Sequence, residues 1–263
     1  MKWPFSLGTI SNVVNRLASH IYLDPPPFLS FLLSRFYRAK FVRKWSKFNW
    51  NQMAELVDFA YQFKVGSPIG RFSLFNLQIT PIQVKEEIIH LLELLRVREP
   101  RVLMEIGTAL GGTLFLFCQI ARNDATIISI DLPHGRFGGG YPSWKTPLYK
   151  AFAKTGQQIH LLRADSHSSE TLHMVEEILE GRKLDFLFID GDHTYEGVKK
   201  DFEMYQPLVV KGGMIALHDI VPGPPEKVGG VPKFWSELKT RFNFIEIVKD
   251  WNQGGYGIGV LYV

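Results

Sequence analysis

Apolar positions along the chain follow two spacings, and their alternation predicts an α/β fold. Five short apolar runs have the length of buried parallel strands. They are residues 102–104, 126–130, 159–163, 184–189 and 214–217. Two further strands, 244–248 and 256–263, are separated by a loop too short for a parallel crossover, so they should pair antiparallel. We therefore predict a Rossmann-like, seven-stranded, mostly parallel sheet with an antiparallel last strand pair and helices on both faces.

Segments with apolar residues at helical spacing lie between these strands and complete an α/β domain over residues 66–263. A linker with glycine and proline, 65–80, precedes its first helix, which should begin at Thr80-Pro81 with the threonine as the cap. The other predicted helices of the domain are 113–121, 171–179, 196–210 and 232–242. Residues 133–147 are too rich in glycine and proline for regular structure, and such a loop suits a lid or a substrate loop.

An aromatic-rich segment precedes this domain, and its charge changes the picture. Residues 1–65 predict a basic helical extension with helices at 28–41 and 51–63. Residues 1–50 hold eight Lys and Arg against one acid, Asp24, whereas the whole chain carries only +4, so the remainder is acidic. Interleaved bases and aromatics suit a membrane surface, nucleic acid or an acidic partner. The alternative is a helical cap packed on the main domain with its lysines in water.

Composition narrows the class of protein. Hydrophobic residues make up 46% of the chain, enough for a sizeable core. The single cysteine, Cys118, excludes an internal disulfide framework and a cysteine-rich metal site, and its apolar helix pattern predicts a buried thiol. No apolar run reaches the roughly 20 residues that span a bilayer, and the start lacks the pattern of a signal peptide. A cytoplasmic enzyme is therefore expected, with peripheral membrane contact through residues 1–50 as an added feature.

The first strand of the domain leads into a glycine-rich turn, EIGTALGG, and then into a helix. Glycines let a ligand approach the backbone, and a helix start presents free N–H groups. The G-x-x-x-G-G spacing fits neither the dinucleotide fingerprint nor a phosphate loop. The carboxylate of Glu105 also suits a cationic or hydroxyl-bearing ligand better than a phosphate. The turn is therefore a candidate ligand site, although a tight strand-to-helix turn in any α/β fold would read the same way.

Four acids follow successive predicted strands; they are Asp131, Asp165, Asp190 and Asp219. Because parallel strands present their carboxyl ends at one edge of the sheet, where such sheets bind ligands, we expect the four to lie together. Asp131 follows the strand after the glycine turn and is therefore placed to bind ribose hydroxyls. Two histidines accompany the last two acids: His193 follows Asp190, and His218 precedes Asp219. Asp192 should cap the next helix.

These motifs resemble those of class I S-adenosylmethionine-dependent methyltransferases. The likeness is carried by LMEIGTALGGT, SIDLP, LLRADS, LDFLFIDGDHTYEGV and GGMIALHDI. It is strongest toward the branch with cephalosporin-hydroxylase-like proteins and macrolide-sugar O-methyltransferases. The resemblance implies S-adenosylmethionine as cofactor, with the glycine turn at its methionine end, Asp131 at the ribose, and Asp165 and Ser166 at the adenine. The expected cofactor residues are Glu105, Gly107, Thr108, Gly111, Gly112, Asp131, Asp165, Ser166 and Asp190.

The same resemblance implies His193 as the base, acting with Asp190, and a metal held by Asp190 and Asp219. Histidine titrates near neutral pH and can take a hydroxyl proton, while a divalent cation would lower the pKa of that hydroxyl. The macrolide-sugar enzymes carry Glu-Asp where this chain carries His218-Asp219. The expected ligands are therefore Asp190, His218 and Asp219, holding magnesium, or manganese if the nitrogen ligates. The alternatives are a helix-start cap for His193 and a backbone-bonded strand-end residue for His218.

These features together predict an S-adenosylmethionine-dependent, metal-assisted O-methyltransferase acting on a hydroxyl of a sugar, glycoside or similar small molecule. Two other classes stay open. A nicotinamide-dependent oxidoreductase would use the same sheet, but the glycine spacing and the antiparallel last pair count against it. A non-catalytic membrane- or partner-binding module would not need three convergent ionisable groups. We expect a homo-oligomer and no nucleic-acid partner. Four aromatic residues either line an acceptor pocket or pack in the core; they are Tyr141, Trp144, Trp235 and Trp251.

Overall fold

Two helices begin the described part of the chain, α1 (Pro27–Trp45) and α2 (Met53–Gln62). The structure is a computed structural model that describes residues 25–68, 77–135, 137 and 140–263. These two helices confirm the helices predicted at 28–41 and 51–63. Residues 1–24 of the extension lie outside the described residues. None of the described helices is long and apolar enough to cross a membrane.

Two short strands lie at the ends of the predicted linker, and the helix after it begins later than predicted. Short strands β1 (Lys64–Val65) and β2 (Leu77–Gln78) pair antiparallel at its two ends. Helix α3 (Lys85–Arg98) begins well after Thr80, so the predicted cap is wrong. The reason is a distant contact. A Cβ atom added to Gly112 would lie 2.3 Å from the nitrogen of Pro81, so the segment before α3 packs against the glycine turn instead of starting a helix.

Seven strands of the described chain form one sheet, in the order β5-β4-β3-β6-β7-β9-β8. Their bounds are β3 (Val102–Ile106), β4 (Thr126–Ile130), β5 (Gln158–Leu162), β6 (Leu184–Ile189), β7 (Val209–His218), β8 (Asn243–Ile247) and β9 (Ile258–Tyr262). Strands β3 to β7 are parallel, and β9 runs antiparallel to both β7 and β8. The predicted fold class is confirmed. The strand order reverses between β3 and β6, which opens a crevice at their carboxyl ends.

The remaining helices flank this sheet, and several predicted boundaries are wrong, including the end of the predicted helix 232–242, which stops at Leu238. These helices are α4 (Gly112–Ile120), α5 (Thr146–Lys150), α6 (Ser169–Leu179), α7 (Tyr195–Tyr205), α8 (Pro225–Val228) and α9 (Val231–Leu238). The predicted helix 196–210 ends at Tyr205, because Pro207 sits in a 3₁₀ turn and Val209 already begins β7. The loop predicted over 133–147 becomes helical from Ser143, through a 3₁₀ turn that leads into α5.

Each face of the sheet carries its own hydrophobic core, because the side chains of successive strand residues point to opposite sides of the sheet. Leu103 and its neighbours on that face pack against α1 to α4, whereas Met104 faces α6, α7 and α9. Cys118 is buried in α4, as predicted. Tyr37 of α1 stacks on Trp144 with ring centroids 5.0 Å apart. The extension therefore shares the first core, and a domain boundary between residues 65 and 66 stays a prediction.

Candidate functional site

A cavity of about 620 Å³ lies outside the carboxyl ends of the parallel strands. Its wall includes the four strand-end acids Asp131, Asp165, Asp190 and Asp219, which the structure therefore brings together as the sequence predicts. Gly107, Ser166, His193 and His218 line the same cavity. The volume lies within the range of about 300–1,000 Å³ that is common for small-ligand pockets.

Gly107 joins the glycine turn to the end of β6. Its φ is +101°, and a Cβ atom there would lie 2.0 Å from the carbonyl oxygen of Asp190. The N–H of Asp190 in turn donates to the carbonyl of Ile106 at 2.9 Å. Only glycine satisfies both the backbone angle and the close approach. Gly107 thus holds the backbone of Asp190 against the turn at the switch between β3 and β6.

Glu105 and Thr108 lie beneath the turn and do not line the cavity. The Ser129 hydroxyl donates to Oε1 of Glu105 at 2.7 Å and lies 2.5 Å from the Thr108 hydroxyl. Burial raises the pKa of Glu105 to about 8, so this side chain is largely neutral at pH 7. Glu105 therefore does not present a charged carboxylate to the cavity. Contact of either residue with a cofactor stays a prediction.

Gly111 and Gly112, which the sequence also predicts as cofactor residues, pack against protein. A Cβ atom at Gly111 would lie 2.6 Å from the ring of Tyr149, and one at Gly112 would strike the backbone of Pro81. Neither glycine is part of the cavity wall. Both are therefore explained by close packing of the turn, and a direct part in binding stays a prediction.

Asp131 ties the glycine turn to the loop after β4. Its Oδ2 accepts the N–H of Ala109 at 2.6 Å, and its Oδ1 accepts the N–H of Gly140 at 2.7 Å. Burial raises the pKa of Asp131, and these backbone hydrogen bonds oppose the rise. Lys145, which the sequence reasoning missed, is buried nearby. Burial lowers its pKa to about 8, and the charge of Asp131 opposes that shift.

The turn after β5, next to the end of β4, forms another part of the cavity wall. Oδ1 of Asp165 accepts the N–H of His167 at 2.9 Å, and the Tyr205 hydroxyl donates to the carbonyl of Ser166 at 2.8 Å. His167 also approaches Asp201, a fully buried carboxylate of α7, with Nε2 3.2 Å from Oδ1. The turn that carries the two predicted adenine residues is thus anchored from below by α7.

Two histidines bridge two acids on the β6 and β7 side of the cavity. His218 Nδ1 lies 3.0 Å from Oδ1 of Asp190 and 3.5 Å from Oδ2 of Asp219. His193 Nε2 lies 3.5 Å from the same Asp190 oxygen, and its Nδ1 lies 3.3 Å from Oδ2 of Asp219. His218 is thus bonded to a carboxylate and not to backbone. We refer to these four residues as the His–Asp cluster.

Charge within the His–Asp cluster decides its protonation. Burial lowers the pKa of His193, but the hydrogen bond and charge of Asp190 outweigh burial and raise it to about 9. The pKa of His218 is likewise lowered by burial, yet the charges of Asp190 and Asp219 raise it well above its usual value. Burial raises the pKa of Asp190, and the charge of His218 more than offsets this and holds it well below its usual range. The two acids therefore favour the protonated form of both histidines.

The donor atoms of the cluster fit a divalent cation. Asp190, His193 and Asp219 each offer one ligand atom, and these atoms all lie within 4.8 Å of one another. Two carboxylate oxygens and one imidazole nitrogen form a set that suits several divalent ions. The structure thereby groups His193 with the acids, whereas the predicted ligand His218 directs Nδ1 to Asp190 and buries Nε2 without a hydrogen-bond partner.

Contacts to the cluster from three loop residues escaped the sequence reasoning, in addition to the Lys227 carbonyl oxygen, which lies 2.5 Å from His193 Nδ1. Gln83 donates from Nε2 to Oδ2 of Asp190 at 2.8 Å. The N–H of Tyr256 donates to Oδ1 of Asp219 at 2.9 Å. The ring of Phe137 stacks on His193 with centroids 4.9 Å apart. No sequence signal points to these residues, because each comes from a loop or turn far along the chain from the group it contacts.

Other expectations for this region need correction. Thr194 and not Asp192 is the N-cap of α7, since its hydroxyl accepts the N–H of Gly197 at 3.0 Å. Asp192 instead accepts the N–H of Thr194 at 2.8 Å. The aromatic residues considered for an acceptor pocket are absent from the cavity wall within the described chain: Tyr141, Trp144 and Trp235 are buried in the cores and Trp251 is half exposed.

Comparison with known proteins bears on this site directly. Residues 104–220 match a family described as a methyltransferase domain, and this span includes the glycine turn and the whole His–Asp cluster. This part of the chain is therefore similar to methyltransferase domains. The match agrees with the resemblance seen in the sequence, and the narrower branch suggested there stays a prediction.

Solved structures of O-methyltransferases share the fold of this chain. The O-methyltransferase TomG from Streptomyces achromogenes, in complex with SAM, has a TM-score of 0.52 and 17% identity, covering 82% of this chain and 91% of its own. An O-methyltransferase from Bacillus cereus in complex with SAH has a TM-score of 0.51 and 14% identity, covering 85% and 96%. At such identities the likeness shows the fold alone.

Relatives by sequence are similar over part of their length. An uncharacterized protein of Sinorhizobium fredii is 29% identical over 142 residues, which are 53% of this chain and 15% of that protein. An uncharacterized protein of Acanthamoeba polyphaga mimivirus is 33% identical over 116 residues, 44% of this chain and 50% of that protein. The chain thus spans half or less of the length of these relatives.

Proposed function

We propose that the protein is an O-methyltransferase that moves the methyl group of S-adenosylmethionine to a hydroxyl of a sugar, glycoside or similar small molecule. The observation that carries the proposal is the position of the His–Asp cluster. It forms part of the same cavity wall as Asp131 and Asp165, so a cofactor bound along these two acids would end beside the ionisable groups.

The cofactor half of the proposal rests on the residues at three strand ends. Asp131 would bind the ribose hydroxyls, and Asp165 with Ser166 would meet the adenine. Support comes from the methyltransferase-domain match, and from TomG and the Bacillus cereus protein, whose structures contain SAM and SAH. Gly107 also lines the cavity, and the methionine end of the cofactor would lie beside it.

The chemical half rests on the His–Asp cluster. Transfer breaks the bond between sulfur and methyl and forms one between methyl and the acceptor oxygen, whose proton must leave. Asp190 and Asp219 would hold a divalent cation, magnesium or manganese, which when bound offsets the acid charges and lowers the pKa of a nearby hydroxyl, while His193 stays off the metal. The acids are what keeps His193 protonated, so with their charge offset this imidazole can accept the hydroxyl proton.

The competing classes are less well supported. A nicotinamide-dependent oxidoreductase would not be expected to match a methyltransferase domain, and a non-catalytic module would have no use for four ionisable groups in contact. We also propose a homo-oligomer that works in the cytoplasm and does not bind nucleic acid. Light scattering after size-exclusion chromatography, and a gel-shift assay, test the oligomer and the nucleic-acid expectation.

The decisive experiment follows methyl transfer from labelled S-adenosylmethionine to a panel of sugars, glycosides and other hydroxyl compounds, with matched amines as a control. The expected result is labelled ether product from a hydroxyl acceptor, loss of turnover in excess chelator, and recovery with magnesium or manganese. Binding of NAD without binding of S-adenosylmethionine would sink the proposal. Full turnover in excess chelator would remove the metal and leave the transfer reaction standing.

A further inference from the structure

The outward face of α1 carries an unusual row of side chains. One side of this helix is buried in the core through Leu33, Tyr37 and Phe41. The opposite side presents residues three or four positions apart, which we call the outer stripe: Phe28, Phe31, Leu32, Arg35, Arg38, Val42 and Arg43. Phe28 is 75% exposed and Phe31 54% exposed, although large aromatic side chains usually bury most of their surface. The stripe is therefore both apolar and cationic.

Its charge is of one sign. Residues 25–54 contain six Lys and Arg and no acid. Within the described chain no carboxylate pairs with Arg35, Arg38 or Arg43. The Arg35 guanidinium lies 5.5 Å from the ring centroid of Phe31, so a cation and an exposed aromatic ring share one patch of surface.

We propose that the outer stripe seats α1 on an anionic lipid surface. Seated in this way, the exposed aromatic side chains would lie toward the acyl chains and the bases at the acidic headgroups. The long arginine side chains reach the headgroups while their methylene groups stay with the apolar residues. The proposal does not depend on which reaction the cavity performs.

Two other occupants fit the stripe less well. A second copy of this chain, docked by a two-fold axis, would place the stripe against itself. Arginines would then face arginines with no acid between them, at a cost in repulsion. Residues 1–24 of the same chain supply one acid, Asp24, and two further bases, Lys2 and Arg16, so they would leave the stripe's charge uncompensated.

The test is sedimentation of the full chain with vesicles of phosphatidylcholine, with and without phosphatidylserine. The variant Arg35→Gln/Arg38→Gln/Arg43→Gln removes three charges from the stripe. The control Arg101→Gln/Lys200→Gln/Lys211→Gln removes three from exposed positions of the α/β domain. Thermal unfolding checks that both variants are folded.

We expect wild type to bind only the anionic vesicles, and to bind less as salt rises. The stripe variant should bind at least about tenfold more weakly, since each base near an anionic surface adds to affinity, while the control keeps most of its binding. Phe28→Ser/Phe31→Ser should weaken binding too, because these rings supply the apolar part. Equal binding to neutral vesicles, no binding to either kind, or equal losses in the two triple variants would overturn the proposal. A change of oligomeric state in the stripe variant without vesicle binding would assign the stripe to a second copy.

Discussion

Oε2 of Glu87 accepts the backbone N–H of Gly257 at 3.0 Å, across 170 positions of sequence. Its Oε1 accepts the N–H of Lys249 at 3.0 Å and the side-chain amide of Gln253 at 2.8 Å. This buried carboxylate of α3 therefore holds the loop between β8 and β9. Residues 254–256 of that loop form part of the cavity wall, so Glu87 shapes the site from outside it.

Glu87→Gln should lower the free energy of unfolding by about 2–3 kcal/mol. The new side-chain NH₂ group would face N–H groups that are themselves donors, so hydrogen bonds would be lost. The neighbouring Glu86 is the matched control. It is exposed and pairs with Lys249 on the surface, so Glu86→Gln should leave the urea midpoint nearly unchanged. Similar midpoints for the two variants would show that the hydrogen bonds of Glu87 contribute little.

The His167–Asp201 pair makes stability depend on pH. The close contact with Asp201 raises the pKa of His167, and burial raises the pKa of Asp201. A group whose pKa is raised on folding stabilises fully below its unfolded value, about 6.5 for histidine, and this stability is lost as pH rises through the folded value. Wild type should therefore lose more unfolding free energy between pH 6 and pH 8 than Asp201→Asn loses.

Urea unfolding of both proteins at the two pH values measures this difference. The exposed pair of His173 and Glu177 supplies the control, because Glu177→Gln removes a carboxylate beside a solvated histidine. That variant should keep the wild-type pH dependence. If Asp201→Asn also kept the wild-type pH dependence, the His167–Asp201 pair would contribute no pH-dependent stability. The His–Asp cluster would then be the remaining source of that dependence.

Asp131 is the position where cofactor recognition can be measured most directly. Asp131→Ala should weaken binding of S-adenosylmethionine by about 1–3 kcal/mol in calorimetry, the cost of leaving charged hydrogen bonds unmade. Because Asp131 also binds Ala109 and Gly140, unfolding of the variant is measured alongside. The exposed acid Asp124 is the control, and Asp124→Ala should bind as wild type does. Unchanged affinity in Asp131→Ala would place this residue outside the cofactor site.

His193→Ala should leave affinity for S-adenosylmethionine nearly intact and slow methyl transfer by about 10²–10⁴, the usual loss for a general base. His173→Ala, an exposed histidine, is the control and should turn over normally. Asp190→Asn should slow transfer similarly and abolish the response to added magnesium or manganese. Wild-type turnover in His193→Ala would make Asp219 the better candidate base.

The sheet could be predicted from sequence because its signals are local. The largely apolar runs predicted as strands at 126–130 and 184–189 coincide with the bounds of β4 and β6. Buried parallel strands need apolar residues on both faces, so their signal is local. The antiparallel last pair follows from a loop too short to cross the sheet. The meeting of Asp131, Asp165 and Asp190 follows as well, because parallel strands end at one edge.

Tertiary contacts decided what those local signals could not. Thr80-Pro81 has a helix-start pattern, yet the packing of Pro81 against Gly112 delays α3 to Lys85. Gly111 reads as a ligand-binding glycine, whereas the ring of Tyr149 already accounts for its missing side chain. Both contacts join segments distant in the chain, so no local pattern contains them.

The sequence by itself determined that the strand-end acids Asp131, Asp165, Asp190 and Asp219 reach the cavity, because strand order and strand ends place their backbones. Only the tertiary structure decided how those groups pair. His193 groups with Asp190 and Asp219, while His218 bonds to Asp190 from a buried position. Gln83 joins them from outside the matched domain. Side-chain direction and burial set these pairings and their pKa values, and both depend on neighbours that the fold brings in from elsewhere in the chain.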